Sequence, residues 1–162
     1  MFARLDATPP PQNADVIMRA VGAVALAALA MIHVIDLPGT LGPTPLIGAG
    51  YFGVIAAAVV TGGVMITRWH WLVWAAAAAL AASAMGGYVL TRALPGGFLG
   101  DHGDVGNWRC PLGIAALSVE TLLILLILLV VLAAWQARAR TANLPPRPQP
   151  AARRVPEYSQ PR

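Results

Sequence analysis

Apolar residues fall into four long runs along the chain, and short stretches rich in Pro, Gly or charged residues separate them. The runs predict helices at about residues 15–36, 46–67, 71–93 and 111–136. Each is long enough to cross the hydrocarbon core of a bilayer, which takes about 20 apolar residues. The pattern therefore predicts an all-α fold, namely a polytopic membrane protein built as a bundle of four transmembrane helices.

The segments outside these runs are typical of turns and of unstructured chain. Closely spaced Pro and Gly residues between Pro38 and Pro45 predict a loop after the first helix. Residues 94–110 form the longest internal polar stretch, and Pro111 suits the first turn of the last helix. Residues 1–14 and 137–162 are predicted to be a disordered lead and a disordered basic tail.

The composition agrees with a membrane protein. The chain is 57% hydrophobic and only 11% charged, whereas a soluble domain has roughly a quarter charged residues. All eleven basic residues are Arg and none is Lys, a bias that is typical of bacterial genomes of high GC content.

The basic charge is concentrated in the C-terminal tail, which contains Arg138, Arg140, Arg147, Arg153, Arg154 and Arg162. Cytoplasmic segments of membrane proteins are rich in Arg, and Arg68 in the second loop falls on the same side as this tail. We therefore expect both termini to be cytoplasmic in a bacterial inner membrane, and the tail to set topology rather than bind nucleic acid. Binding of the tail to anionic lipid is an alternative.

Two helices have small residues at four-residue spacing, which lets helix backbones approach each other closely in lipid. This spacing predicts close packing of the second helix against the third. The small residues are Ala49, Gly53, Ala57 and Thr61 in the second helix and Ala75, Ala79, Ser83 and Gly87 in the third. The abundance of Ala offers a second explanation, because it produces such spacings by chance.

Glu120 is the one ionisable residue deep in an apolar run. It follows Pro111 by nine positions, which at 1.5 Å per residue is roughly 13 Å. A charged group at that depth is costly, and by default it indicates a functional site with a partner. Arg92, at the end of the third helix, is the natural charged partner, and we expect Glu120 to approach either Arg92 or His33. A protonated Glu120 that hydrogen-bonds a neighbouring helix is the structural alternative.

Further polar residues are predicted to gather with Glu120 in the outer half of the bundle, under a lid formed by residues 100–108. These are His33, Asp36, Asp101, His102 and Asp104. His33 and Asp36 share a helix face, so the carboxylate could orient the ring. Metal binding by His33, Asp36, His102 and Glu120 is one hypothesis, although no His-x-x-x-His spacing is present. No two histidines face each other at mid-membrane, so haem is not expected, and we predict no cofactor.

Residues 91–120 resemble a segment of a group of small uncharacterised four-helix bacterial integral membrane proteins. The matching residues are Thr91, Arg92, Leu94, Pro95, Gly96, Asp104, Trp108, Pro111, Leu112, Gly113 and Glu120. His33 matches a His that members often have near the end of an early helix, and Ala93 departs from the expected Gly. The resemblance implies that Arg92, the loop and Glu120 act together, and it implies no activity.

Three functional hypotheses follow from these residues. The first is a non-enzymatic membrane or accessory subunit, in a homo-oligomer or a larger complex, whose polar cluster staples the helices. The second is an outer-face site that binds or transports a metal or a small solute. The third is an enzyme that acts on a lipid or quinone in the outer leaflet, with His33 as base. Because the chain has no complete catalytic set, the first is favoured.

Overall fold

Four α-helices form the part of the chain that the computed structural model describes, residues 12–68 and 70–142. They are α1 (Gln12–Leu41), α2 (Pro45–Thr67), α3 (Trp71–Ala93) and α4 (Pro111–Ala142). No strand forms in these residues, so the predicted all-α four-helix fold is confirmed. Residues 1–11 and 143–162, which hold most of the predicted lead and tail, lie outside the described residues.

All four helices are long and apolar enough to span a membrane, with candidate spans of 28, 23, 23 and 30 residues. A span needs about 20 residues at a rise of 1.5 Å each. The exposed surface of the bundle carries many large apolar side chains, Leu125, Leu128, Leu129 and Leu132 of α4 among them. The chain is therefore a multi-pass membrane protein whose apolar outer surface suits lipid contact.

The first and last helices are longer than the sequence predicted. The α1 helix includes residues 12–14, expected in the lead, and continues through Pro38, expected in a loop. Proline costs a helix one backbone hydrogen bond, here the one to the carbonyl of Val34, and transmembrane helices tolerate such an interruption. One turn further on, the Thr40 hydroxyl donates to the carbonyl of Asp36 at 3.0 Å. The α4 helix likewise includes residues 137–142, expected in the disordered tail.

Helices α1 and α2 are antiparallel and meet at both ends. The start of α1 lies beside the end of α2, because Arg19 donates a hydrogen bond to the carbonyl of Ile66 at 3.0 Å. At the opposite end Gly48 packs against Leu41, since a Cβ on Gly48 would lie 2.7 Å from Leu41 Cδ1. Only Gly allows that turn to close so tightly.

Helices α3 and α4 pair in the same way, and within the first pair α3 packs mainly against α2 and α4 mainly against α1. Gly113, in the first turn of α4, lies so close to Tyr88 near the end of α3 that any Cβ there would overlap the ring. The bundle thus has two ends. The terminal end holds Gln12 and Ala142, and the distal end holds the α1–α2 and α3–α4 connections.

The apolar core is densest toward the terminal end. Leu26 of α1, Met65 of α2 and Leu123 of α4 are fully buried, and Trp74 of α3 is nearly so. Gly22 of α1 permits this packing, since a Cβ there would lie 2.6 Å from Met65 Sδ and 3.4 Å from the Trp74 ring. Van der Waals contact of this kind is the main attraction between helices in lipid.

The predicted contact between the small-residue stripes of α2 and α3 is wrong. Gly53 is exposed, and a Cβ on either Gly53 or Gly87 would meet no heavy atom within 4 Å. The face of α2 that packs inward is offset from this stripe and includes Ala58, Gly62 and Met65, which are buried. The large side chains determine which face of each helix packs inward, because Ala and Gly are present on every face of these helices.

Candidate functional site

A cavity of about 700 Å³ lies among the four helices in the distal half of the bundle. Its walls include all seven residues that the sequence nominated for a polar cluster, namely His33, Asp36, Arg92, Asp101, His102, Asp104 and Glu120. The structure therefore brings these residues together around one space. That they bind a ligand stays a prediction.

Glu120 lies at the inner end of this cavity with its side chain 1% exposed. Its Oε2 atom is buried and has no hydrogen-bond partner among the described residues. Gly113 and Ala116 precede it on the same face of α4 and also line the cavity. The Tyr88 ring fills the space beside Gly113, so on this face of α4 Ala116 is the small residue next to Glu120.

Arg92 does not pair with Glu120, so the predicted ion-pair clamp between them is absent. The guanidinium turns toward the distal loop, where Nη2 lies 3.1 Å from Asp104 Oδ2 and Nε donates to the carbonyl of Asn107 at 3.0 Å. A third bond runs from Nη1 to the Thr91 hydroxyl at 2.8 Å. Arg92 ends α3 beside the loop, whose acceptors are nearer than a carboxyl deep in α4.

The aromatic ring of Tyr88 packs against the guanidinium of Arg92. The Arg92 Cζ atom lies 3.8 Å from the centre of the ring, which is the geometry of a cation–π contact. The Tyr88 hydroxyl donates to the carbonyl of Trp108 at 3.1 Å. Two side chains of α3 thus attach the far part of the loop to the bundle.

The α3–α4 loop borders the cavity, and its residues 98–104 form part of the cavity wall, whereas residues 105–108 of the predicted lid do not. Gly97 and Gly106 have φ angles of +74° and +75°, which Gly adopts without steric cost. Gly97 has a second constraint, because a Cβ there would lie 2.7 Å from the carbonyl oxygen of Asp101. The Gly106 amide donates to the carbonyl of Arg92 at 3.0 Å and fastens the loop to the end of α3.

The two acidic residues of the loop have different partners. Asp101 Oδ1 accepts from the backbone amide of Asp104 at 3.2 Å, as expected of an Asp in a tight turn. Asp104 pairs with Arg92. His102, between them, is exposed at the rim of the cavity.

His33 and Asp36 both line the cavity, but no hydrogen bond joins them. The His33 Nδ1 atom lies 2.8 Å from the carbonyl oxygen of Leu29. A carbonyl only accepts, so Nδ1 carries a proton there, and in the neutral ring Nε2 keeps its lone pair. The backbone, rather than Asp36 as predicted, orients this ring.

Tyr51 is a site residue that sequence reasoning missed. Its hydroxyl donates to Asp36 Oδ2 at 2.8 Å, and its ring meets the edge of His33 at 4.8 Å between centroids. The sequence could have predicted this contact, because the short α1–α2 turn brings the start of α2 to the depth of Asp36. Tyr51 is the hydroxyl-bearing aromatic residue at that depth.

A metal centre is not supported by the arrangement of potential ligands. Among residues 12–68 and 70–142 no three His, Cys, Asp or Glu side chains converge closely enough to hold an ion. The histidines are also well separated, since His70 accepts from the amide of Leu72 at the start of α3, at the terminal end. His33 and His102 lie in the distal half.

Comparison of the chain with protein-family models, with curated proteins and with solved structures finds no match.

Proposed function

We propose that this chain is a non-enzymatic membrane protein that binds a small organic solute in the distal cavity, as a binding or carrier subunit. The observation that carries the proposal is the Glu120 carboxyl, buried beside a cavity of about 700 Å³ with Oε2 unpaired. Buried polar atoms in native proteins nearly always have a partner. A molecule bound in the cavity would supply a partner when the Glu120 side chain turns toward it.

The size and lining of the cavity support a solute rather than a bare ion. Cavities that bind small molecules have volumes of about 300–1,000 Å³, apolar walls and a few polar groups. Ile32, Ile47, Val54 and Leu112 provide apolar wall here. The polar cluster alone would staple the helices without leaving such a space.

We further propose that the distal end faces outward from a bacterial cytoplasmic membrane. The support is the position of Arg68, Arg138 and Arg140 at the terminal end, because Arg is retained on the cytoplasmic side. A reporter fused after residue 140 should then be cytoplasmic, and periplasmic activity of that fusion would overturn the orientation.

The resemblance of residues 91–120 to small bacterial membrane proteins leads to a related proposal, that such proteins share this cavity. Its support is that Arg92, Asp104, Gly113 and Glu120, which carry the resemblance, are all cavity residues.

The scaffold hypothesis is the second candidate, and the network around Arg92 favours it. This side chain bonds to the loop and to its own helix, as a structural staple would. The two hypotheses differ at Glu120, since a buried carboxyl oxygen without a hydrogen-bond partner does not stabilise a scaffold. The enzyme hypothesis rests on His33 Nε2 as the base. Detection of turnover of a lipid or quinone by the protein would replace the binding proposal.

The binding proposal is tested by native mass spectrometry of the protein released from its own membranes. Wild type is expected to retain a small-molecule adduct, and Gly87→Leu to lose it, because Gly87 lines the cavity and a Cβ there meets no heavy atom within 4 Å. Gly86→Leu is the matched control, since Gly86 also has open space but does not line the cavity. Spectra without an adduct in wild type, or with the same adduct in Gly87→Leu, would contradict the proposal.

A further inference from the structure

The cavity wall is strongly acidic. Four carboxyl side chains line it, those of Asp36, Asp101, Asp104 and Glu120, against the single guanidinium of Arg92. Counted as ionised, with both histidines neutral, these groups have a formal net charge of −3. A cleft of one sign with low-dielectric walls concentrates counter-ions.

The pairing within the wall leaves this charge largely uncompensated. Arg92 is already engaged by Asp104 at 3.1 Å. Asp36 receives one hydrogen bond from the neutral Tyr51 hydroxyl, and Asp101 receives one from a backbone amide. Glu120, the most deeply buried of the four, has no cation beside it among the described residues.

The proposed function, on which this step rests, leaves the class of solute open. We propose that the solute is a small organic cation, a protonated amine with an apolar body, and that Glu120 is its counter-ion. An ammonium group has donors and no acceptor, and it would pair with the Glu120 carboxyl once that side chain turns toward the cavity. His33 Nε2 is an additional acceptor on the same wall.

The arrangement of polar and apolar groups around the cavity favours an organic amine over an inorganic cation. A divalent ion needs several converging oxygen or nitrogen ligands, and no three potential ligand residues converge in the described residues. Apolar side chains occupy the wall between α1 and α2, including Ile32, Ile47 and Val54. A hydrocarbon body fits against them while the ammonium group reaches Glu120.

The experiment measures the thermal midpoint of unfolding, Tm, of the full chain in nanodiscs of zwitterionic lipid. Three probes of equal chain length are compared at neutral pH: n-hexylamine, n-hexanol and sodium hexanoate. A ligand that binds the folded state raises Tm with its concentration. Hexylamine is expected to raise Tm of wild type and of Gly86→Leu, but not of Gly87→Leu, and hexanoate to have no effect.

Substitution of the counter-ion tests its role. In Glu120→Gln the apparent affinity for hexylamine should fall at least about tenfold, the factor expected for losing one hydrogen bond between charged groups. Asp15→Asn, which removes a carboxyl at the terminal end, should leave it unchanged. If Glu120→Gln fails to fold, Glu120→Asp replaces it and should retain the response to hexylamine, because it keeps the charge.

The outcomes separate this inference from the proposed function. A Tm shift with hexanol or hexanoate that equals or exceeds that with hexylamine overturns the cation and leaves the binding cavity standing. An equal hexylamine shift in Gly87→Leu, or in Glu120→Gln, also overturns the inference. A wild-type protein that responds to none of the probes yet retains an adduct in native mass spectra contradicts the cation alone, whereas absence of the adduct contradicts binding itself.

Discussion

The terminal and distal halves of this bundle are formed by the same four helices but differ in what occupies the space between the helices. In the terminal half, large apolar side chains such as Leu26, Met65 and Trp74 fill the space between helices, and Gly22 brings the backbones close. In the distal half the helices surround a cavity, and polar side chains line it. Dense packing at one end can hold the helices together while the other end keeps an unfilled polar space.

The largest difference between the halves is expected from truncation of an apolar residue in α1. Leu26→Ala should lower the free energy of unfolding by about 2–5 kcal/mol, because it removes fully packed methyl groups and leaves a void. Ile32→Ala, six residues further along, should cost less than half as much, since Ile32 already borders the cavity. Steric trapping of unfolding in bicelles measures both, and equal losses would break the distinction between the halves.

The next largest effect is expected where the loop is fastened. Arg92→Ala removes the bonds to Asp104 and Asn107, and it should cost about 1.5–3 kcal/mol, the range for hydrogen bonds to charged groups. Hydrogen exchange in residues 98–108 should rise with little change around Leu26. Arg109→Ala is the control, because that side chain is exposed on the same loop. Unchanged exchange in Arg92→Ala would show that the loop does not depend on the staple.

Adding a side chain probes the two halves in the opposite sense. Gly22→Val should destabilise the bundle by about 1–3 kcal/mol, as overpacking does, because a Cβ there meets Met65 and Trp74. Gly50→Val enters open space at the cavity wall, so its effect should stay within about 0.5 kcal/mol. A large loss of stability in Gly50→Val would mean that the distal half is closed.

The smallest effect is expected at Tyr51. Tyr51→Phe removes the hydrogen bond to Asp36 and keeps the ring contact with His33, and it should cost about 0.5–1.5 kcal/mol. Thermal unfolding of the purified protein measures the change. A cost as large as that of Leu26→Ala would place a main determinant of stability in the distal half, against this account.

Sequence reasoning predicted the helices and their order because runs of apolar residues dominate the signal for membrane spans. It also nominated seven residues that line one cavity, since antiparallel neighbours bring the ends of successive helices together. It missed the helical passage through Pro38, because transmembrane helices tolerate proline, and it predicted the wrong inward face of α2. Ala and Gly do not specify a face, and the few large residues that do, Met65 and Trp74, act through tertiary contact.

The pairings within the site were the least predictable part. Arg92 was expected to reach Glu120, and His33 was expected to be oriented by Asp36. Both found nearer partners, a loop carboxylate in one case and a backbone carbonyl in the other. Such choices depend on side-chain directions and on loop geometry, which periodicity along the chain does not encode.

The most direct test of an open, polar distal half beside a closed terminal half is cysteine accessibility in a Cys110→Ser background. Ala116→Cys would place a thiol on the cavity wall one turn from Glu120, and Ala77→Cys would place one in the fully buried core of α3. We predict that a water-soluble cationic methanethiosulfonate modifies the thiol at position 116 and leaves the one at 77 intact in folded protein. Protection of both positions, or equal modification of both, would contradict the account.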